Sequence, residues 1–244
     1  MRACVISDVH GNLHALEAVL AAIADEEADE LWCLGDLVGY GPRPNACCRL
    51  VRERAAICLL GNHDLASLGR IPLLDFNDDA AVSARWTASV LEDDEAAWLG
   101  SLEASAAWAG VGLYHASPRD PVWEYVLSGE VALASMLAAA EPVVLVGHSH
   151  VALEFSLDEE GHLAGDLAPD GTEIDLDAAR HRLLNPGSVG QPRDGDPRGA
   201  YLVIDLDRAS ASFKRVEYDV TRTQAELRER GLPETLAARL EHGV

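Results

Sequence analysis

The first third of the chain alternates short apolar runs with segments of helical periodicity. Apolar runs at residues 3–6, 31–34 and 55–60 have the length and composition of buried strands. Apolar side chains recur at helical spacing in residues 12–23, and a second helix is predicted for residues 45–54. This alternation predicts parallel strands in an α/β fold, with helices packed on the faces of the sheet.

Residues 65–102 form a long stretch that we expect to be helical and to carry little chemistry. Within it, a pair of helices is predicted at residues 78–91 and 93–102. The sequence shows no internal repeat, linker or low-complexity segment. We therefore expect a single domain over residues 1–244, with a helical insertion around residues 65–102.

Strands return in the second half of the chain. Residues 106–114 and 143–146 are predicted strands, with a helix at residues 129–140 between them. Beyond residue 151 the pattern favours hairpin-like strands, at residues 152–157, 182–184, 200–206 and 211–216. Two helices are predicted at the end of the chain, the first with Thr223 and Glu226 as its capping box.

The composition is that of an ordinary globular protein, except for its charge. The chain has 244 residues, 48% of them hydrophobic, and a formal net charge of -22. Because duplex nucleic acids and anionic membranes attract basic surfaces, this charge disfavours both as partners and disfavours a nuclease. The five cysteines lack metal-finger spacing. Since a strand begins at once and leaves no room for a signal peptide, we expect a cytoplasmic protein.

Polar clusters follow five of the predicted strands at or near their carboxyl ends. They are Asp8-x-His10, Gly35-Asp36, Gly61-Asn62-His63-Asp64, His115 and His148-x-His150. Because the carboxyl ends of parallel strands meet at one edge of a sheet, we expect these side chains to lie together. Imidazole, carboxylate and amide ligands suit manganese, iron or zinc better than calcium. The remaining histidines are predicted to lie on the surface: His14, His162, His181 and His242.

Each cluster has a purely structural explanation when it stands alone. A lone Gly-Asp or His-x-His is more often turn chemistry than a metal site, and His115 alone would be an ordinary hydrogen-bonded histidine. Residues 61–64 alone are equally well a polar turn between a strand and a helix. The position of all five clusters at strand ends favours a metal site.

The ordered motifs DxH, GD, GNHD, H and GHxH resemble the calcineurin-like metallophosphoesterase superfamily, over residues 3–194. Residues 35–42, 115–118 and 185–193 resemble its small bacterial and archaeal branch, which includes phosphodiesterases and some diadenosine-tetraphosphate hydrolases. The resemblance implies an α/β fold, a four-layer α/β/β/α sandwich of two mixed sheets flanked by helices.

The resemblance also implies two divalent metal ions that share one bridging carboxylate. The first ion would be held by Asp8, His10, Asp36 and His150, and the second by Asp36, Asn62, His115 and His148. Manganese is the implied metal, with iron, zinc, nickel, cobalt and magnesium as alternatives. Two such ions would lower the pKa of a bridging water, so that a metal-bridging hydroxide attacks phosphorus in line.

The residues next to Asn62 have other implied tasks. His63 matches the family's histidine that binds no metal, contacts the phosphate and protonates the leaving oxygen. Asp64 is interpreted either as a catalytic residue that orients His63 or as a cap for the following helix. Gly61 is expected to let the strand turn sharply enough to present both Asn62 and His63.

The substrate contacts depart from one branch of the family. Protein serine/threonine phosphatases carry an arginine after the bridging aspartate, where this chain has Gly39 and Tyr40, and this disfavours phosphoprotein phosphatase activity. The candidate substrate-binding residues are Tyr40, Arg43, Arg119 and Arg193. For each arginine a surface ion pair is the alternative. Trp123 and Tyr125 are candidates for stacking on a base, or else core residues.

The implied activity is a dinuclear metal-dependent phosphoesterase acting on phosphodiester or nucleotide-phosphate bonds. The alternatives are a phosphomonoesterase, a dinucleoside-polyphosphate hydrolase, or a non-catalytic scaffold on the same fold. Retention of His63 disfavours the scaffold, because a scaffold needs no proton donor. The expected partner is a small phosphate ester or nucleotide, with no stable duplex nucleic acid and no membrane, and homo-oligomerisation is left open.

Overall fold

Two mixed β-sheets pack face to face in the computed structural model, which describes residues 1–244 apart from the side chain of residue 178. The strands are β1 (Arg2–Ile6), β2 (Glu30–Cys33), β3 (Ile57–Cys58), β4 (Ser105–Trp108), β5 (Val111–Tyr114), β6 (Val143–Leu145), β7 (Ala152–Leu157), β8 (Leu163–Leu167), β9 (Glu173–Asp175), β10 (His181–Pro186), β11 (Gly199–Asp205) and β12 (Ser210–Val216). The helices are α1 (Leu13–Ile23), α2 (Pro44–Arg54), α3 (Asn62–Ser67), α4 (Asp78–Val90), α5 (Asp93–Leu99), α6 (Gly129–Ala138), α7 (Val220–Glu229) and α8 (Glu234–Ala238). Short 3-10 helices lie at Leu73–Asp75, Leu176–Ala178 and Arg239–Glu241.

Each sheet combines three parallel strands with antiparallel ones, and the parallel strands form one side of the first sheet and the centre of the second. The first sheet has the order β3-β2-β1-β11-β12-β9, and the second has the order β4-β5-β6-β10-β7-β8. In the first, β1, β2 and β3 are parallel, and in the second, β5, β6 and β10 are parallel. The predicted parallel α/β unit at the start of the chain is confirmed.

Three apolar clusters separate four layers of structure. Side chains of β1 alternate between two of these clusters, as the period of two in a strand requires. Ala3 and Val5 belong to the cluster between the sheets, whereas Cys4 and Ile6 belong to the cluster under α1 and α2. A third cluster, which includes Met136, packs α6 on the second sheet. The expected four-layer α/β/β/α sandwich is confirmed.

The predicted single strand at residues 106–114 is wrong, because it is a hairpin of β4 and β5. The turn between them holds Ala109 at φ 52° and Gly110 at φ 82°. Two-residue turns with positive φ at both positions match the twist of paired strands. The sequence gives no turn signal at Ala109, because this residue is apolar and lies inside an apolar run.

The predicted capping box of the first terminal helix is also wrong. Helix α7 begins earlier, after Asp219, whose side chain accepts a hydrogen bond from the backbone N–H of Arg222. Thr223 instead donates its hydroxyl to Asn12 Oδ1 at 3.0 Å, and Glu226 binds the guanidinium of Arg43. Both residues therefore hold the helix against the first third of the chain.

The segment at residues 65–102 contains helices α4 and α5 close to the predicted bounds. Two short strands were not predicted, β8 and β9, both at the edges of their sheets. In the described part of the chain, no helix combines the length and apolar character needed to cross a membrane.

Candidate metal centre

The five polar clusters lie just beyond the carboxyl ends of parallel strands. Asp8 and His10 follow β1, Asp36 follows β2, and Asn62 and His63 follow β3. In the second sheet, His115 follows β5, while His148 and His150 follow β6. All of these side chains are buried. The two sheets therefore deliver their polar groups to one common edge.

The candidate ligand atoms form two groups, each with its atoms within 4.8 Å of one another. The first group is Asp8, His10, Asp36 and His150, and the second is Asp36, His115 and His148. Asp36 belongs to both, and its Oδ2 lies 3.6 Å from His10 Nε2 and 3.5 Å from His115 Nε2. Asn62 joins the second group, because its Oδ1 lies 3.2 Å from His115 Nε2.

Backbone carbonyls set the tautomers of the histidines. The Nδ1–H groups of His10, His115 and His150 donate to carbonyl oxygens at 3.1, 2.9 and 2.6 Å. A carbonyl oxygen only accepts, so each of these rings, when neutral, turns an unprotonated Nε2 towards the carboxylates. His148 is reversed, since its Nε2–H donates to the carbonyl of Trp123 at 3.2 Å and leaves Nδ1 unprotonated.

Two contacts in the cluster bring electron-pair acceptors together. His10 Nε2 lies 3.0 Å from His150 Nε2, and His115 Nε2 lies 3.2 Å from Asn62 Oδ1. In addition, Asp8 Oδ1 and Asp36 Oδ2 are buried without a hydrogen-bond partner among the described residues. Acceptors that face each other in a dry site repel unless a cation lies between or beside them. The donor set therefore fits divalent metal ions.

Burial shifts the pKa values of most of the cluster. Burial raises the pKa of Asp8 to about 7, and it is also the main cause that raises the pKa of Asp36, followed by the charge of Asp64. Burial lowers the pKa of His10, His148 and His150. Neutral imidazole is the form that binds metal, so burial favours the ligand form of these histidines.

Strained backbone conformations concentrate at the site. The described part of the chain holds nine non-glycine residues at positive φ. Six of them are predicted site residues: Asp8, His10, Asp36, Tyr40, His148 and His150. Each such residue costs about 1–3 kcal/mol and persists only where its surroundings enforce it. These backbone conformations therefore lower the stability of the fold, and they direct the side chains towards one another.

The turn at residues 61–64 differs from expectation in two respects. Gly61 is extended, with φ -100° and ψ 176°, so the expected sharp turn is wrong. Glycine is required there because a Cβ would overlap the carboxylate of Asp36. Asp64 accepts hydrogen bonds at 3.0 Å from the backbone N–H groups of Val38 and Gly61. These bonds support the interpretation of Asp64 as a cap for α3. The bond from Val38 also connects Asp64 to the loop after β2.

His63 lies among aromatic rings beside the first ligand group and is a member of neither group. Its ring centroid lies 4.3 Å from that of Tyr40, 4.9 Å from that of His10 and 5.0 Å from that of Phe76. Its backbone N–H donates to Asp36 Oδ1 at 2.8 Å. Burial, followed by the charge of Arg193, lowers the pKa of His63.

The four candidate substrate-binding residues divide into two pairs. Tyr40 lies 4.7 Å from the ring of His10, and Arg193 donates to Tyr40 Oη at 3.4 Å and to Gln191 Oε1 at 2.8 Å. Arg43 is instead bound at 2.7 and 3.0 Å by the carboxylate of Glu226. Arg119 forms an ion pair with Glu124 at 3.1 Å. The structure thus brings Tyr40 and Arg193 to the cluster, while Arg43 and Arg119 form the alternative ion pairs.

Sequence reasoning missed or misplaced several residues around the site. The predicted surface position of His14 is wrong, because its ring is buried and Nε2 lies 3.1 Å from Glu226 Oε1. Gln191 holds both His150 and Arg193, and its place two residues before Arg193 was the available signal. Phe76 had no signal, because an aromatic residue in a helical segment is usually core.

The family follows from a match over most of the chain. Residues 1–209 match the model of the calcineurin-like phosphoesterase superfamily domain. The chain belongs to this superfamily. The expected family and the expected enzyme class, a metal-dependent phosphoester hydrolase, are thereby confirmed.

One solved structure and one sequence relative match this phosphoesterase over almost its full length, and a further relative matches a quarter of it. A solved metallophosphoesterase from Sphaerobacter thermophilus is 42% identical, with a TM-score of 0.90, and the match covers 100% of this chain and 99% of that one. An uncharacterised protein of Methanocaldococcus jannaschii is 38% identical over 241 residues, which are 97% of this chain and 96% of its own. A protein of Aliivibrio salmonicida named symmetrical bis(5'-nucleosyl)-tetraphosphatase is 41% identical over 63 residues, which are 25% of this chain and 23% of its own.

Proposed function

We propose that this phosphoesterase hydrolyses phosphodiester or nucleotide-phosphate bonds at a centre of two divalent metal ions. The observation that carries the proposal is the pair of acceptor–acceptor contacts, His10 with His150 and His115 with Asn62. One contact lies in each ligand group, and the two groups share Asp36. Two separate places for a cation, joined by one carboxylate, support a dinuclear centre with an anionic bridge.

The residues that would hold each ion follow from the two groups. Asp8, His10, Asp36 and His150 would hold the first, and Asp36, Asn62, His115 and His148 the second. When bound, such ions supply Lewis-acid stabilisation of charge at phosphorus and lower the pKa of bound water. A mixed set of imidazole, carboxylate and amide ligands favours manganese, with iron, zinc, nickel, cobalt and magnesium as alternatives.

His63 is proposed to protonate the leaving oxygen. It stays outside both ligand groups, and its position is fixed through its backbone bond to Asp36. The positive charge of Arg193 helps to lower its pKa in the free protein. The phosphate of a bound substrate brings negative charge next to the ring, which raises that pKa and loads the proton that His63 then donates.

Arg193 and Tyr40 are proposed to bind the phosphate. The guanidinium of Arg193 lies 5.7 Å from the centroid of the Tyr40 ring and is held by Gln191. Its Nε is buried without a hydrogen-bond partner among the described residues, so it retains a donor for an oxyanion. Guanidinium groups match the geometry of phosphate oxygens.

A dinucleoside polyphosphate is the second candidate substrate. The observation that favours it is the 41% identity over 63 residues to the tetraphosphatase of Aliivibrio salmonicida. That match covers 25% of this chain, and it therefore supports shared motifs more than a shared substrate.

The domain organisation, the compartment and the partners of the protein are also proposed. We propose a single domain over residues 1–244, with residues 65–102 as a helical insertion. All five cysteines are free thiols, which favours a reducing compartment and hence the cytoplasm. A net charge of -22 disfavours stable binding to duplex nucleic acid or membranes.

Hydrolysis of a chromogenic phosphodiester tests the proposed function. Protein stripped with a chelator should be inactive and should regain activity with manganese. Asp36→Asn should abolish the regain, and His63→Ala should lower kcat by about 100-fold or more. His162→Ala is the matched control, since His162 is exposed and pairs only with Asp158 among the described residues. Full activity of Asp36→Asn in chelator would contradict the proposal.

A further inference from the structure

The ring of Phe76 covers one side of His63. The two ring centroids lie 5.0 Å apart in an edge-to-face arrangement. Phe76 comes from the proposed insertion, between the 3-10 helix Leu73–Asp75 and α4, and packs with Tyr40 and Leu236. It is only partly buried, so one part of the ring remains open to a ligand.

Trp123 extends the aromatic surface beyond Phe76. Its ring centroid lies 5.3 Å from that of Phe76, again with an edge-to-face geometry. Within the loop that carries it, Asp120 Oδ1 accepts a hydrogen bond from the backbone N–H of Trp123 at 3.1 Å. The carbonyl of Trp123 also accepts a hydrogen bond from His148. Two segments distant in sequence therefore form one wall, Phe76 with Trp123, beside both His63 and the second ligand group.

The charges around Phe76 limit what this wall accepts. Asp75 and Asp78 flank it in the sequence and are exposed. Arg193, by contrast, lies on the side of Tyr40, to which it donates a hydrogen bond. The phosphate of a substrate is therefore drawn to Arg193, and the exposed carboxylates of Asp75 and Asp78 disfavour a second anionic group at Phe76.

We propose that Phe76 and Trp123 form the leaving-group subsite, and that it takes an uncharged planar ring joined to the scissile phosphate, as in a nucleoside diester. This rests on the proposed function, because it takes His63 as the proton donor. A proton donor must lie within hydrogen-bond reach of the leaving oxygen, so the leaving group lies against the rings next to His63. Aromatic walls bind bases through stacking and edge contacts.

The step consumes one water molecule. The oxygen of the water forms a new bond to phosphorus, and the bond from phosphorus to the leaving oxygen breaks. His63 gives its proton to that oxygen, which departs as the nucleoside or aryl alcohol, and the proton lost by the water restores His63. A dinucleoside polyphosphate would instead place an anionic leaving group at Phe76, within the segment that carries the exposed Asp75 and Asp78.

Paired diesters that share the retained group and differ in the leaving group test this subsite. One carries a nucleoside leaving group and the other a small alkyl leaving group. In Phe76→Leu and Trp123→Leu, kcat/KM for the nucleoside diester should fall about tenfold, mainly through KM. The alkyl diester should change less than about twofold, because it makes no ring contact. Trp108→Leu is the matched control, since Trp108 is exposed on edge strand β4.

A second measurement is independent of turnover. Ligand-observed NMR should show binding of a free nucleoside to the wild-type protein and weaker binding to both leucine variants. Asp75→Asn should increase activity on a dinucleoside tetraphosphate relative to the nucleoside diester. Thermal unfolding of each variant checks that it is folded.

The outcomes separate the two proposals. If the wild type hydrolyses neither a diester nor the dinucleoside tetraphosphate, the proposed function fails, and nucleoside binding alone decides whether the aromatic subsite exists. If diesters are hydrolysed but the leucine variants affect both leaving groups equally, the subsite is wrong and the proposed function stands. A wild type that prefers the dinucleoside tetraphosphate, unaffected by Asp75→Asn, would also overturn the subsite.

Discussion

At the scale of single residues, the site depends on close approach between backbone and side chains. Gly61 leaves room for the carboxylate of Asp36, which lies where any Cβ would project. His63 then donates its backbone N–H to the same carboxylate. The position of the proposed bridging ligand is thus set by the residues that follow β3.

Gly61→Ala should therefore disturb Asp36 directly. We expect a loss of about 3 kcal/mol in the free energy of unfolding, from forcing a methyl group into a packed site, and a weaker affinity for manganese. Denaturant unfolding and calorimetric metal titration would measure the two effects. Gly161→Ala is the control, because a Cβ there meets open space and only the positive φ of 87° is unfavourable. Equal metal affinity in both variants would contradict this role of Gly61.

At the scale of secondary-structure elements, α7 is held to the first third of the chain by a partly buried polar network. Glu226 accepts two hydrogen bonds from Arg43 and one from His14. The hydrogen bond from Arg43 is the main cause that lowers the pKa of Glu226, from its usual 4.5 to about 2. Because the folded pKa is lower than the unfolded one, the ionised carboxylate stabilises the fold above pH 4.5, and this stabilisation is lost as the pH falls towards 2.

Glu226→Gln should reveal that contribution. At pH 7 we expect the free energy of unfolding to fall by about 1–3 kcal/mol, and the difference from wild type should vanish near pH 2. Urea unfolding across this range would measure it. Glu234→Gln is the matched control, because Glu234 pairs with Arg228 on the surface, where ion pairs contribute little. A deficit that grows as the pH falls would contradict the sign of this linkage.

The elements also show what the sequence could and could not predict. Apolar runs followed by Gly or Asp predicted β1, β2 and β6, together with the ligand clusters that come after them. This was possible because hydrophobic periodicity and turn residues are local features of the sequence. The hairpin at Ala109 and the edge strands β8 and β9 depend on pairing with distant strands, which the local pattern does not encode. For the same reason the partners of Arg43 and Arg119, and the contact of Phe76 with Trp123, became visible only in three dimensions, although the sequence already offered ion pairs for the arginines and stacking for Trp123.

At the scale of the whole molecule, the protein carries a net charge of -22, although its proposed substrate is an anionic phosphate ester. We expect no measurable binding to a duplex DNA at low or moderate salt, because there is no favourable release of counterions from phosphate. A fluorescence anisotropy titration at about 20 and 200 mM salt would measure this. Affinity that is strong at low salt and falls steeply as salt is added would contradict the expectation.

The central claim is that this site holds two metal ions bridged by Asp36, and the metal content of the protein tests it most directly. After removal of metal with a chelator and dialysis against manganese, elemental analysis should find two ions per chain in the wild type. His10→Ala and His148→Ala should each lose one ion, because these residues belong to different ligand groups, and His162→Ala should keep both. A single ion in the wild type, or two ions in both His10→Ala and His148→Ala, would contradict the claim.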